Sequence, residues 1–147
     1  MGAEQEHNKR RLLEMAERCI AGGDIDAVNE YFTEDFTSIA MGHQERGANG
    51  EKQQLRDLFD AFSEVEYVYT DLIAVDDRVA GRATFRAVHT GPYAGIEPTG
   101  ARVEALSIDV NRFVDGKIAE HWGCYDDDTV VMQIRAAHAH SDRVAAS

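Results

Sequence analysis

Asp126 and Asp109 are the two residues whose type and setting could move a proton. A carboxyl group in an apolar cavity has its charged form disfavoured, which lifts its pKa towards neutrality and suits it to take and return a proton. Such a base can deprotonate a carbon beside a carbonyl, while a paired acid or amide holds the developing enolate. In KIAEHWGCYD, strand alternation puts Ile118, Glu120, Trp122, Cys124 and Asp126 on one face, so Asp126 is expected to follow Trp122 into the interior. The run Asp126-Asp127-Asp128 has a second reading, as the solvated, N-capping start of a C-terminal helix, and the pattern leaves both open. On the preceding strand Val103, Ala105, Ser107, Asp109, Asn111 and Phe113 share a face whose mixture resembles a pocket wall more than a dry core.

Histidines supply the other candidate proton carriers. His89 ends a long strand just before the turn-rich TGPYAGIEPTG, which also contains Tyr93, and His43 follows a short strand in a glycine-bordered loop. Alternation points His121 outward, opposite Trp122. His138 and His140, two apart near the C-terminus and without a third ligand nearby, do not make a metal site. Cys19 and Cys124 allow one conceivable disulfide, but neither sits in a CxxC, and both read better as buried free thiols. No glycine-rich phosphate loop is present, and no metal or organic cofactor is expected.

These residues need a scaffold, and the periodicity supplies one. Apolar residues recur at helical spacing over 5–21, a second short helix carries Ile25, Val28, Tyr31 and Phe32, and a third over 51–62 aligns Leu55, Leu58, Phe59 and Phe62. A brief strand is predicted over 36–41. Beyond Ser63 the period becomes strand-like over 65–75, 78–89, 102–114 and 117–125, with Asp115-Gly116 as a hairpin turn. Helices first and a meander afterwards indicate an α+β domain, not a doubly wound sheet. The long strands suggest a cone-shaped α+β barrel, with helices packed on a strongly curved mixed or antiparallel sheet. One domain over 5–135 is expected, followed by a flexible C-terminal tail over 136–147.

Composition narrows the partners. A chain of 147 residues has room for one core, and no apolar run approaches the roughly 20 residues of a membrane span. With 27 acidic against 15 basic residues the net charge is -12, and the bases are scattered apart from Lys9-Arg10-Arg11, so nucleic acid and anionic membranes are not expected partners. The opening MGAEQEHNKRRLLE does not read as a secretory peptide, which makes a cytoplasmic location the expectation.

One stretch, AVHTGPYAGIEPTGARVEALSIDVNRFVDGKIAEHWGCYD over residues 87–126, resembles the SnoaL-like polyketide cyclases, within the wider nuclear transport factor 2-like group. His89, Gly91, Gly95, Pro98, Thr99, Gly100, Asp109, Arg112, Phe113, Gly116, Lys117, Ile118, Glu120, Trp122 and Asp126 stand at the family's motif positions. Ala87-Val88 and Val131-Met132-Gln133-Ile134 depart from its usual pattern. The resemblance implies a cofactor-independent intramolecular aldol closure of an aromatic polyketide β-keto ester, with Asp126 of the Trp-x-x-x-Asp motif as general acid/base. His89 and His43 would then be further catalytic residues, and Trp122, His121, Asp109, Asn111, Phe59, Phe62 and Tyr93 would bind a hydrophobic polycyclic substrate. It also implies a homodimer, for which Leu106, Ile108 and Val110 offer an apolar outer patch. Two alternatives remain at this point. The same pocket could serve an epoxide hydrolase, dehydratase or isomerase, epoxide opening wanting an Asp-Arg-Asp relay that Arg82 or Arg112 could join. Alternatively, the protein could be a non-catalytic carrier or interaction subunit.

Overall fold

In a computed structural model the described residues are 2–40 and 43–147, with the side chains of 43–46 left out. Helix α1 (Ala3–Met15) continues as a π-helical turn (Ala16–Ala21), which buries Cys19. A 3-10 turn (Ile25–Ala27), capped by the Asp24 side chain on the Ala27 amide, leads into α2 (Val28–Tyr31). Strands β1 (Phe32–Ala40) and β2 (His43–Arg46), helix α3 (Gly47–Ala61), strands β3 (Phe62–Val75), β4 (Arg78–His89), β5 (Arg102–Val114) and β6 (Lys117–Tyr125), and helix α4 (Asp127–Ala146) complete the chain. The predicted limits of the last three strands coincide with the observed ones, because Asp115-Gly116 and the flanking turns leave the ladder no choice. Asp115 and Gly116 have φ of 50° and 75°, the left-handed pair of a two-residue hairpin turn.

The six strands seen among the described residues form one mixed sheet in the order β2-β1-β6-β5-β4-β3, with β1 parallel to β6 and every other pair antiparallel. The α+β class is as expected, but the sheet is open and is not curled into the cone-shaped barrel. Its edge strands, β2 and β3, lie at opposite ends of the order and do not pair. The helices occupy the space closure would have required: α3 runs from β2 to β3 and contacts both, while α1 and the π-turn pack against β3. Strand length alone therefore overstated the curvature: the bulges in β3, between Ser63 and Glu66 and between Tyr69 and Asp71, bend that edge strand locally without bringing it round to β2.

Two apolar clusters sit between helices and sheet. One joins Leu12, Cys19, Val28, Phe36, Val79 and Ile118; the other joins Phe62, Phe85, Val103, Ala105, Val130 and Ile134. Ile20, Leu58 and Phe59, all half-buried, pack against both. Residues 136–146 are helical, forming the exposed end of α4. No described helix is long and apolar enough to cross a membrane.

Candidate active site

Between the two apolar clusters, the inner face of β5 carries a polar band of Ser107, Asp109 and Asn111, respectively 7%, 3% and 1% exposed. The neighbouring strands supply its partners. Tyr67 and Tyr69, on β3, reach across β4: Tyr67 donates its hydroxyl to Ser107 Oγ at 2.9 Å, and Tyr69 donates to Asp109 Oδ2 at 2.5 Å. Asn111 Nδ2 donates to the other Asp109 oxygen at 3.1 Å. From β6, His121 Nδ1 lies 2.8 Å from Asn111 Oδ1.

That chain of bonds fixes the imidazole tautomer. Because the Asn111 amide nitrogen faces Asp109, its oxygen faces His121 and must accept, so His121 carries its proton on Nδ1 and leaves a lone pair on Nε2. Burial works on the two ionisable groups in opposite directions. It lifts the Asp109 carboxyl to about 6, against the pull of the hydrogen bonds from Tyr69 and Asn111, and depresses His121 to about 4, keeping the ring neutral at pH 7. Burial also drives the Tyr69 hydroxyl well above its ordinary value, so it stays a proton-bearing donor, while Tyr67 rises to about 12. An acid titrating near neutrality, held by two donors in an otherwise apolar interior, is equipped for proton transfer.

Several expectations about this face need correction. Trp122 is 52% exposed and Cys124 and Asp126 are also exposed, whereas His121 points inward with Gly123 and Tyr125. A bulge explains the inversion: Arg112 pairs with Glu120 but Phe113 pairs with Ile118, leaving Ala119 without a partner on β5. Ile118 and Ala119 are both buried, and every later side chain of β6 changes face. Cys124 is accordingly a surface thiol, while Cys19 is buried with its thiol pushed up to about 12.

Asp126 occupies the N-cap of α4. It accepts from the Thr129 amide at 3.2 Å and from the Thr129 hydroxyl at 2.7 Å, and it lies outside the polar band. Asp126→Ala is expected to cost about 1 kcal/mol of stability, read from urea midpoints. It is Asp127 that turns inward, taking the Tyr93 hydroxyl. Tyr93 and Phe62 pack edge to face at 5.0 Å, Phe62 being a core residue on the second cluster. His89, fully buried, is a fastener: its Nδ1 accepts from the Thr99 amide at 3.2 Å and so pins the 90–101 loop, far along β4 from Asp109's partner Gly81. Phe59 packs against both apolar clusters. The side chain of His43 lies outside the described residues. Ser107 belongs to the β5 face already read as a pocket wall, whereas Tyr67 and Tyr69 are the members of the band that the sequence did not single out. The alternation in EYVYT puts both tyrosines on one face, but not the reach over β4.

On the opposite side of the sheet lies a shallow hollow of about 310 Å³, lined by Ile39, Ile108, Val110, Trp122 and Cys124 and bordered by Asp109 and Gly123. Apart from the Cys124 thiol it offers no ionisable group, since the Asp109 carboxyl is turned to its partners on the other face. Both arginines considered for an Asp-Arg-Asp relay are engaged away from the band: Arg82 pairs with Asp71 at 2.5 Å, and Arg112 forks onto both oxygens of Glu120 at 3.1 and 3.2 Å.

Comparison with known proteins agrees with this architecture. AclR from Streptomyces galilaeus, described as a candidate hydroxylase, superposes with a TM-score of 0.80 at 25% identity, covering 90% of this chain and 98% of its own. A candidate SnoaL-like polyketide cyclase from Jannaschia sp. CCS1 gives 0.83 at 22% identity, covering 91% and 95%. An epoxide hydrolase of the LEH-like kind from M. tuberculosis gives 0.73 at 16%, covering 98% and 99%. A search of the curated proteins finds no match. The family model described as SnoaL-like polyketide cyclase matches residues 10–134, so nearly the whole domain carries the family's pattern, and the chain belongs to the SnoaL-like polyketide cyclase family.

Proposed function

We propose that this protein is a cofactor-independent enzyme that closes a ring in a hydrophobic, polycyclic β-keto ester of the aromatic polyketide type by an intramolecular aldol reaction, with Asp109 carrying the proton. One observation supports this above all: the Asp109 carboxyl is 3% exposed, titrates at about 6, and is held by Tyr69 and Asn111 within an apolar interior. Ionised Asp109 takes the proton α to the ester carbonyl, and the electron pair of that C–H bond becomes the enolate. The enolate carbon attacks the distant ketone, forming the C–C bond, and the ketone oxygen takes the proton back from Asp109. The product is an isomer of the substrate, and the carboxylate is regenerated. Tyr69 stays protonated throughout and orients the carboxyl, and neutral His121 offers Nε2 as an acceptor for a substrate hydroxyl.

Incubation of the protein with a panel of polycyclic β-keto esters, ketones and epoxides, followed by chromatography and mass spectrometry, tests this reading. A product of unchanged mass and new retention is expected, lost in Asp109→Asn and kept in Asp126→Asn. Gain of the mass of water would move the reaction to epoxide opening, and binding without conversion would make the protein a carrier. Epoxide opening is disfavoured by the engagement of Arg82 and Arg112 on the far side of the sheet.

The same reading includes a homodimer through the outer face of the sheet. Leu106, Ile108 and Trp122 are each more than half exposed there, and Ile39 extends the patch. Ile108→Lys is expected to halve the mass measured by light scattering. An unchanged mass, whether monomer or dimer, would remove this face from the assembly.

A further inference from the structure

Asp109 has a glycine directly opposite it on each neighbouring strand, Gly81 on β4 and Gly123 on β6. Opposed residues of antiparallel strands share a face, so both glycines flank the acid on the inner side. Glycine weakens a strand, and two at one register need a cause. Neither has a positive φ, so the backbone does not demand them. Space does. A Cβ at Gly81 would stand 2.5 Å from Tyr69 Cε1 and 2.6 Å from Cδ1, and a Cβ at Gly123 would stand 2.6 Å from His121 Nε2. Tyr69 reaches from β3 to β5 over the intervening strand, a span of roughly 10 Å for two strand spacings. It crosses where β4 presents no side chain. The His121 ring folds along its own strand onto Gly123, which leaves Nδ1 on Asn111 and puts the Nε2 lone pair where a side chain of residue 123 would stand.

We propose that Gly81 and Gly123 are positioning residues of the acid site, each seating one ring, the phenol of Tyr69 on one side of Asp109 and the imidazole of His121 on the other. Their consequence for turnover rests on Asp109 being the proton carrier; their effect on the two rings does not. An alanine at either place strikes ring atoms of a side chain, so the fold is kept and the ring moves. With its ring displaced from Gly123, His121 loses Asn111 and gains water.

The test is Gly81→Ala and Gly123→Ala, read first by NMR titration of the unliganded proteins. In Gly123→Ala the His121 ring is expected to titrate more than one pH unit above its value of about 4, moving towards the ordinary value of about 6.5. Gly81→Ala is expected to leave His121 in place and to shift the Asp109 carboxyl resonance and its midpoint, because the Tyr69 bond is lost. Turnover of a polycyclic β-keto ester is expected to fall about tenfold or more in each. Unchanged titration of both groups in folded variants would overturn the proposal. If a variant fails to fold, adding His121→Ala to Gly123→Ala, or Tyr69→Ala to Gly81→Ala, removes the ring that is struck and is expected to restore folding. Failure of those double variants would overturn it as well. Shifted titrations together with full activity in Asp109→Asn would instead leave the seats standing and defeat the reading of Asp109.

Discussion

Replacing Asp109 by Asn is expected to lower kcat/KM for ring closure by about 10²- to 10⁴-fold, the usual loss when a general acid/base is removed. Asn keeps the shape and an oxygen for the Asn111 amide, so the loss reports the proton and not the packing. In the wild-type protein kcat/KM is expected to rise with pH and level off above about 6, as the carboxyl ionises. His121 is already neutral over that range and adds no second limb there. Steady-state rates with a β-keto ester between pH 5 and 8 check both statements. A fully active Asp109→Asn, or a flat profile through pH 6, would remove Asp109 from the chemistry.

The same substitution is expected to stabilise the fold at pH 7. Burial raises Asp109 from 3.8 to about 6, so between those values the folded chain holds a proton the unfolded chain has released. The stability associated with this group is therefore complete below about pH 4 and is lost as pH rises through about 6, a cost of about 3 kcal/mol by pH 7. Asn escapes that cost and gives up about 1 kcal/mol for one rearranged hydrogen bond, a net gain of about 2 kcal/mol.

His121 acts with the opposite sign. Its folded pKa is depressed from 6.5 to about 4, so its share of stability is present above 6.5 and is lost as pH falls towards 4. The two windows overlap and nearly cancel in the wild-type protein. Urea midpoints from pH 4 to 7 are expected to climb with pH in Asp109→Asn, where His121 acts alone, and to fall with pH in His121→Gln, where Asp109 does. An Asp109→Asn less stable than wild type at pH 7 would contradict a buried carboxyl whose ionised form is disfavoured by desolvation.

How much of this was legible beforehand can be followed residue by residue. The face of β5 that joins Ser107, Asp109 and Asn111 came straight from alternation, because no bulge interrupts its pairing with β4. The same rule applied to β6 exchanged His121 for Trp122 and gave Asp126 the interior. A single unpaired residue, Ala119, inverts everything after it, and nothing in KIAEHWGCYD marks where a bulge falls. The triple aspartate offered two readings, and the structure takes the capping one for Asp126. Tyr67 and Tyr69 were visible as aromatic residues two apart, but their partners lie 40 positions away, across a strand whose glycine leaves the path open.

Local chemistry thus determined what the chain could decide by itself: helices where apolar residues recur every third or fourth place, strands where they alternate, a turn where Asp115-Gly116 accepts positive φ, and membership of a family written in the 87–126 motif string. Tertiary structure decided which acid is buried, which histidine faces it, and whether the sheet closes. These depend on register between strands and on what packs over them. A shift of one residue changes the face of a side chain without changing the local sequence, so only the assembled sheet decides that Asp109 is buried and that Asp126 is an exposed helix cap.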